Sequence, residues 1–234
     1  MTAVPTGTAL RPAGRQRPPV PGSVEGGTAV LFPRARRVRP GMARALYGTF
    51  PAFRGEFDTV CRALDPRLSL PLAVAVFAPE RGVDSRLLHR MDFGRAALFA
   101  YQVALYRTWQ DWGLRIAAVA GDGVGALTAA HVTGRLDLRT AARRALTGRR
   151  TRGRDEARAV RVLRTTGSRR VLACGPAAEG TLAAGAEGCA VVGDVPGLLT
   201  AVAGLQLCGP RIDWDGLWHS GRPGPAVAAS APRR

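Results

Sequence analysis

A glycine-rich turn between an apolar run and a small-residue segment is the part of this sequence closest to a catalytic motif. Residues 116–131 read Ile-Ala-Ala-Val-Ala-Gly-Asp-Gly-Val-Gly-Ala-Leu-Thr-Ala-Ala-His, which predicts a short strand, a tight turn and a helix. This is the setting of a Gly-x-Ser-x-Gly nucleophile elbow, whose strained turn presents a serine hydroxyl to an acyl carbon. Here residues 121–125 form the turn, and Gly123 stands in the serine's place. The sequence therefore predicts the turn without its nucleophile.

The same turn admits interpretations without nucleophilic catalysis by serine. Its three glycines are equally expected wherever a helix and a strand pack closely around a tight turn. Asp122 is a candidate base or nucleophile, because a carboxylate can attack an acyl carbon, but the mixed anhydride it would form is labile. We therefore expect Asp122 to be an ordinary turn aspartate in contact with solvent.

A dinucleotide-binding protein is a second hypothesis. Gly121, Gly123 and Ala126 fit the Gly-x-Gly-x-x-Gly/Ala fingerprint, which lies between a strand and a helix and holds a pyrophosphate. The fingerprint also requires an acidic residue about 20 positions further on, at the end of a second strand. Asp137 is the nearest candidate, but its surroundings, Arg-Leu-Asp-Leu, indicate the start of a helix. The match is therefore short and weak.

Apolar runs and helical periodicities alternate on both sides of the turn. Short apolar runs predict strands at residues 28–32, 116–120 and 170–174. Helical patterns cover residues 40–47, 50–64, 91–112, 125–133, 138–146 and 198–207, while 71–77 fits either strand or helix. The candidate core residues of the two longest helices are Phe53, Phe57, Val60, Cys61, Leu64, Leu98, Val103, Leu105 and Trp109. The alternation predicts an α/β fold with a mostly parallel sheet.

Composition separates a core from three segments that resemble linkers or tails. Residues 1–27 and 220–234 are rich in Pro and Gly and offer few side chains to bury, so we expect both to be disordered. Residues 28–219 are expected to contain the core. Within them, residues 147–168 are polar and arginine-rich, which predicts a linker or a short exposed helix.

The charge of the chain has two interpretations. The formal net charge is +17, and all 34 basic residues are arginine, which is typical of a compositional bias in the coding sequence. The functional alternative is attraction to acidic partners, because a basic protein releases counterions when it binds phosphates. Residues 135–170 carry thirteen arginines against three acids, but no interleaved aromatics and no nucleic-acid-binding motif. An unspecific basic nucleic-acid binder remains an alternative, and specific binding is not predicted.

Cysteine usage and hydropathy indicate a reducing, cytoplasmic setting. Cys61, Cys174, Cys189 and Cys208 form no Cys-x-x-Cys pair and have no metal-site spacing. They are expected to be buried small hydrophobes. No signal peptide and no run of 18 apolar residues is visible, so neither export nor a membrane partner is predicted.

The order of these segments resembles that of a known enzyme family. Phe32-Pro33 and Gly41-Met42 keep the frame of an FPGQGSQxxGM opening, residues 97–106 resemble the helix before the family's elbow, and residues 119–134 track an AGHSxGE elbow and its helix. Residues 199–205 and 212–218 resemble its closing helix and VDW motif. The chain thus resembles the acyltransferase domain of modular polyketide synthases, the malonyl-CoA:acyl-carrier-protein transacylase family. The resemblance implies a parallel-sheet, α/β-hydrolase-like acyltransferase core, no cofactor and no metal.

Several positions that carry the family's chemistry differ in this chain. By resemblance, the serine is replaced by Gly123, the histidine before it by Asp122 and the glutamate after the elbow by Ala126. The arginine that binds the substrate carboxylate aligns at Gly148, with Arg149 one place late as the remaining candidate.

The backbone donors of the family's oxyanion hole are less sensitive to sequence. By resemblance they fall at Val124 and Ala35, and because neither is proline, both N–H groups exist. A surface that binds a coenzyme A thioester weakly is therefore compatible with the sequence.

The resemblance also implies a missing part. After Arg150 the chain passes to the family's C-terminal strand near Arg170, so residues 147–168 replace the ferredoxin-like small subdomain that would hold the catalytic histidine. His89, His131 and His219 do not fit that role. The implied protein is an impaired or inactive acyltransferase, a pseudoenzyme of a polyketide pathway. An acyl carrier protein or a synthase module is its implied docking partner.

Overall fold

The computed structural model describes residues 28–34, 38–147, 163, 165, 170–174 and 189–192. The strands are β1 (Thr28–Phe32), β2 (Ile116–Gly121), β3 (Arg170–Cys174) and β4 (Cys189–Val192). The helices are α1 (Arg44–Thr49), α2 (Pro51–Leu64), α3 (Leu72–Val76), α4 (Met91–Asp111), α5 (Val124–Val132) and α6 (Leu138–Thr147), with 3₁₀ turns at Asp65–Arg67 and Asp84–His89. The predicted α/β class is confirmed.

The four strands form one parallel sheet in the order β2-β1-β3-β4. Val30 of β1 lies between Val119 of β2 and Leu172 of β3. Because side chains alternate across a strand, β1 supplies both faces of the sheet with apolar groups, and all five of its residues are buried. Parallel pairing brings the carboxyl ends of β1 and β2 to the same edge, and Phe32 is directly opposite Gly121.

One face of the sheet is covered by α5 and α4, and α2 packs against α4. Every residue of α4 from Ala96 to Tyr106 is buried, because this stretch is apolar on nearly all sides and is enclosed by α2, α5, α6 and the sheet. Aromatic rings fill the interface with α2: the centroids of Phe53 and Tyr101 are 5.7 Å apart. All the core residues predicted for the two longest helices are buried.

A buried polar residue ties α4 to the edge of the sheet. The Nε2 group of Gln102 donates to the carbonyl oxygens of Pro33 (2.8 Å) and Cys174 (3.1 Å), and its Oε1 accepts from the hydroxyl of Thr128 (2.9 Å). These bonds join the chain after β1, the end of β3 and α5 through one side chain. Gln102 was not among the predicted site residues, although an amide within an apolar stretch of helix is a visible signal of a satisfied buried group.

The element predictions agree with the structure in most places. The ambiguous segment at residues 71–77 is helical, because α3 follows Pro71 and buries Leu72, Ala75 and Val76. Strand β4 was not predicted, since four residues are too short to show a period. The predicted helix at 198–207 and the predicted disordered ends at 1–27 and 220–234 lie outside the described residues.

The predicted linker at residues 147–168 differs from the structure at one described position. Leu163 is helical and completely buried, and it packs with Ala29, Leu31, Val171 and Ala173 on the second face of the sheet. An entirely exposed helix is therefore the wrong description at Leu163, because an apolar sheet face requires a covering side chain.

Two of the four cysteines are buried, as the sequence predicts. Cys61 and Cys174 are free and buried, and burial raises the pKa of both thiols. The side chain of Cys189 and all of Cys208 lie outside the described parts. Among the described helices, none is long and apolar enough to cross a membrane.

His131, at the end of α5, has a perturbed titration. Burial lowers its pKa below the usual 6.5, against the opposing effect of its Nδ1 contact with the carbonyl oxygen of Leu136 (3.0 Å). The carbonyl can only accept, so Nδ1 carries the proton and donates it. The folded protein thus favours the neutral imidazole.

The lowered pKa of His131 predicts that the protein loses stability as the pH decreases. Below pH about 6.5 the unfolded chain takes up a proton at His131 that the folded chain resists, so the free energy of unfolding falls as the pH decreases through the folded pKa. Urea unfolding at a series of pH values between 7.5 and 5 (roughly the titration range of histidine) measures the slope. His131→Asn keeps a donor for Leu136 and does not titrate, so its slope is expected to be smaller. Equal slopes in the two proteins would contradict the assignment.

Candidate functional site

The turn between β2 and α5 has the geometry of a strained strand-to-helix corner. β2 ends at Gly121, α5 begins at Val124, and Gly123 between them has φ 58° and ψ −114°. Residues with a Cβ rarely adopt this conformation. Gly123 is therefore at the tip of the corner, in the backbone conformation in which a nucleophile elbow holds its reactive residue.

The other two glycines allow backbone segments to touch. A Cβ on Gly125 would overlap the carbonyl oxygen of Phe32 at the end of β1, and a Cβ on Gly121 would overlap the carbonyl of Gly125 and approach the nitrogen of Ala126 to 2.8 Å. The predicted close packing of helix and strand is thus observed at both positions. No side chain fits at either one without moving the backbone.

Asp122 is buried, which corrects the expectation of a solvated turn aspartate. Its carboxylate is 1% exposed, and Oδ2 accepts bonds from Nη2 (2.9 Å) and Nε (3.2 Å) of Arg34. Its backbone N–H donates to the carbonyl oxygen of Phe32 (3.1 Å). The reason is the sheet: β1 and β2 run in parallel and end together, so residues 88 positions apart in sequence become neighbours.

The two oxygens of this carboxylate have different surroundings. Oδ2 holds both bonds from Arg34, while Oδ1 is buried and has no hydrogen-bond partner among the described residues. The guanidinium of Arg34 is 35% exposed, so it connects the buried carboxylate to the surface. Arg34 was not among the predicted site residues, although its opposite charge just after a strand is a visible signal of such a pair.

The first turn of α5 provides the remaining polar groups. The N–H of Gly125 donates to the carbonyl of Asp122 (2.8 Å). Val124 is the first residue of the helix, where N–H groups have no intrahelical acceptor and carry the positive end of the helix dipole. Such a donor can stabilise an oxyanion. Two other candidates, Ala35 and Arg149, lie outside the described residues.

Neither of the two described histidines, His89 and His131, supplies a base at this corner. His131 is eight residues beyond Gly123, about 12 Å along the axis of α5, and it bonds Leu136. His89 is exposed at the end of a 3₁₀ turn, and His219 lies outside the described part of the chain. Within that part, no three His, Cys, Asp or Glu side chains are grouped so as to hold a metal ion.

Asp137 has a structural role that its sequence context indicated. Its Oδ1 accepts the backbone N–H of Thr140 (2.8 Å), so it caps the N-terminus of α6. This bond lowers the pKa of Asp137. Asp137 therefore begins a helix and does not end a second strand, as the dinucleotide fingerprint of Gly121, Gly123 and Ala126 requires.

Comparisons with known proteins identify relatives of the chain. The sequence model of the acyl transferase domain family matches residues 39–194. The spectinabilin polyketide synthase system protein NorB of Streptomyces orinoci is 41% identical over 128 residues, 53% of this chain and 6% of that protein. The phenolphthiocerol synthesis polyketide synthase Pks15/1 of Mycobacterium marinum is 45% identical over 121 residues, 52% of this chain and 6% of that protein. The chain thus spans only a small part of these curated relatives.

A solved structure shares the fold. The acyltransferase domain from the second module of the salinomycin polyketide synthase matches with a TM-score of 0.66 and 20% identity, over 89% of this chain and 79% of that one. The resemblance found in the sequence is therefore confirmed at the level of family and fold.

The contact at Gly125 predicts a severe substitution effect. Gly125→Ala places a methyl group on the Phe32 carbonyl, so we expect a loss of about 3 kcal/mol or more in the free energy of unfolding. Gly55→Ala is the matched control, because Gly55 is exposed in the interior of α2 with nothing near its missing Cβ. It should stabilise the protein by roughly 0.5–1 kcal/mol. Chemical denaturation measures the free energy of unfolding of both variants. Similar changes in the two variants would contradict the close packing of Gly125 against Phe32.

Removal of Arg34 is expected to leave Asp122 as a buried, uncompensated charge. Arg34→Ala should cost about 2 kcal/mol of folding free energy, less than for a fully buried pair because the guanidinium is partly exposed. The double variant Arg34→Ala/Asp122→Ala should be less destabilised, since the buried charge is gone. Arg90→Ala, which breaks the exposed pair with Asp92, should cost less than about 1 kcal/mol. Denaturant unfolding of the three variants measures these free energies. Equal losses of folding free energy in all three variants would refute the prediction.

Proposed function

Because this chain belongs to the acyl transferase domain family, we propose that it is an acyltransferase-like protein of a polyketide synthase pathway that no longer catalyses efficient acyl transfer. In the reaction that the resemblance implies, a serine hydroxyl attacks the thioester of malonyl-coenzyme A and coenzyme A leaves as the thiol. The thiol of a carrier protein then takes the acyl group from the serine ester. Both half-reactions pass through an ester at the elbow.

The residue at the tip of the corner is the observation that supports the proposal. Gly123 is in the strained conformation between β2 and α5, and it has neither a hydroxyl nor a thiol. Covalent catalysis needs an oxygen or sulfur nucleophile within reach of a base. Asp122, the adjacent carboxylate, is buried and bonded to Arg34 through Oδ2. The corner thus has the backbone of an elbow and no group that can carry an acyl ester.

The magnitude of the expected defect follows from the roles of the missing groups. Loss of a catalytic serine or histidine lowers turnover by about 10⁶-fold in a well-studied serine protease, where binding and the oxyanion hole still provide about 10³–10⁴-fold over water. Here the N–H of Val124 is the candidate oxyanion donor that lies within the described residues. We infer a residual capacity to bind a coenzyme A thioester weakly.

The proposed small-subdomain loss rests on chain length. A ferredoxin-like unit has four strands and two helices, about 45 residues at average element lengths. Residues 148–169, between α6 and β3, are roughly half that number, and β3 pairs directly with β1. We propose that the arginine-rich residues 147–168 replace the subdomain within a core of residues 28–219.

Docking is the function that can persist without the chemistry. The formal charge of +17 would attract an acidic carrier protein or synthase module and accelerate their encounter. The proposed partner is therefore an acyl carrier protein or a synthase module.

Intact-mass spectrometry tests the proposal. The chain is incubated with malonyl-coenzyme A and a phosphopantetheinylated carrier protein, and both proteins are weighed over time beside an active acyltransferase domain. We expect no malonyl adduct on this chain and no transfer above the reaction without it, because Gly123 cannot form an ester. An adduct that maps to residues 121–125, or turnover near that of the active domain, would overturn the proposal.

A further inference from the structure

Helix α6 presents a row of arginines to solvent. Ala141, Ala142 and Ala145 are buried against the core, and the opposite side of the helix exposes Arg139 and Arg143. These two residues are four positions apart, so they are neighbours on one face, about 6 Å apart along the helix axis. We call Arg139 and Arg143 the arginine row.

The arginine row is not neutralised by its own chain in the part that the structure describes. Neither guanidinium has a hydrogen bond or ion pair with a described residue. The nearest acid in sequence, Asp137, accepts the N–H of Thr140 and caps the same helix. Arg135, just before α6, is also exposed and bonds only the hydroxyl of Thr133. The row therefore keeps its full capacity to bind carboxylates.

Two partly buried leucines lie beside the arginines. Leu138 and Leu146, eight positions apart on α6, pack against the core and keep part of their surface exposed, while Ala142 between them is completely buried. This combination differs from an ordinary solvated arginine face, because a partner can bury apolar surface next to the charges. An acidic amphipathic helix has both features at the same spacing: carboxylates every four residues and an adjoining row of apolar side chains.

We propose that the arginine row and the leucines beside it form a docking surface for an acidic helix of a protein partner. The inference rests on the docking part of the proposed function and names its surface. Arginine forks bind the partner's carboxylates, and Leu146 contacts its apolar side chains. The chain after α6 adds seven arginines between residues 149 and 164 against two acids, which strengthens long-range attraction to such a partner.

A designed peptide tests the surface without any acyl chemistry. The probe is a fluorescent, end-capped helical peptide with Glu at four-residue spacing and Leu on the neighbouring row, titrated with the full chain in about 0.05 M salt. A peptide with Gln for Glu and a DNA duplex of the same net charge are the comparison ligands. The variant Arg139→Glu/Arg143→Glu is compared with Arg81→Glu/Arg86→Glu, which alters two other exposed arginines and changes the net charge equally.

The expected result is a Kd for the acidic peptide that rises about tenfold in the α6 variant and less than about twofold in the control. The neutral variant Arg139→Gln/Arg143→Gln should lie between them, and unfolding transitions should confirm that all variants fold. Equal weakening in both charge-reversal variants, preference for the duplex, or no binding of the peptide would overturn the proposal. Malonyl transfer is measured in a separate experiment. Failure of the docking proposal can therefore be distinguished from failure of the proposed loss of acyl transfer.

Discussion

The first turn of α5 is in direct backbone contact with the end of β1, and the rest of the site depends on that contact. Gly125 faces the carbonyl of Phe32 where no Cβ can fit, and Gly121 faces Gly125 in the same way. The contact fixes the direction of α5 relative to the sheet and forces the chain through the positive φ of Gly123. It also places Asp122 against the segment that follows β1, where Arg34 is available. The geometry of the corner is thus set by backbone packing.

Because backbone packing sets its geometry, the corner keeps its shape without a reactive group. The glycines, the Arg34–Asp122 pair and the network of Gln102 all act on the turn, and none of them involves a side chain at position 123. Gln102 bonds the carbonyl after β1 and the end of β3, while Thr128 links it to α5. Because Arg34 satisfies Oδ2 of Asp122 and Gln102 satisfies the carbonyls of Pro33 and Cys174, the fold of the site does not depend on a reactive side chain at position 123.

Arginine is the only basic residue type apart from histidine in this chain, and its role is decided by position. Arg34 pairs with a buried carboxylate. Arg95 is partly buried, which lowers its pKa, and it donates to the carbonyl of Ala145 in the last turn of α6, where a cation is favourable. Arg139 and Arg143 point to solvent from the same helix. One residue type therefore serves as internal counterion, helix cap and surface charge.

The sequence by itself determined the order of strands and helices from β1 to β3 except for the ambiguous α3, the buried residues of α2 and α4, and the absence of a nucleophile at Gly123. These properties are local: periodicity reports which side of an element is buried, and residue type reports whether a hydroxyl exists. Tertiary structure decided the burial of Asp122, the bonds of Gln102, the strand β4 and the burial of Leu163. A charge or amide can be buried only where a partner satisfies it, and the partners of Asp122 and Gln102 are distant in sequence and come close only when the parallel strands align.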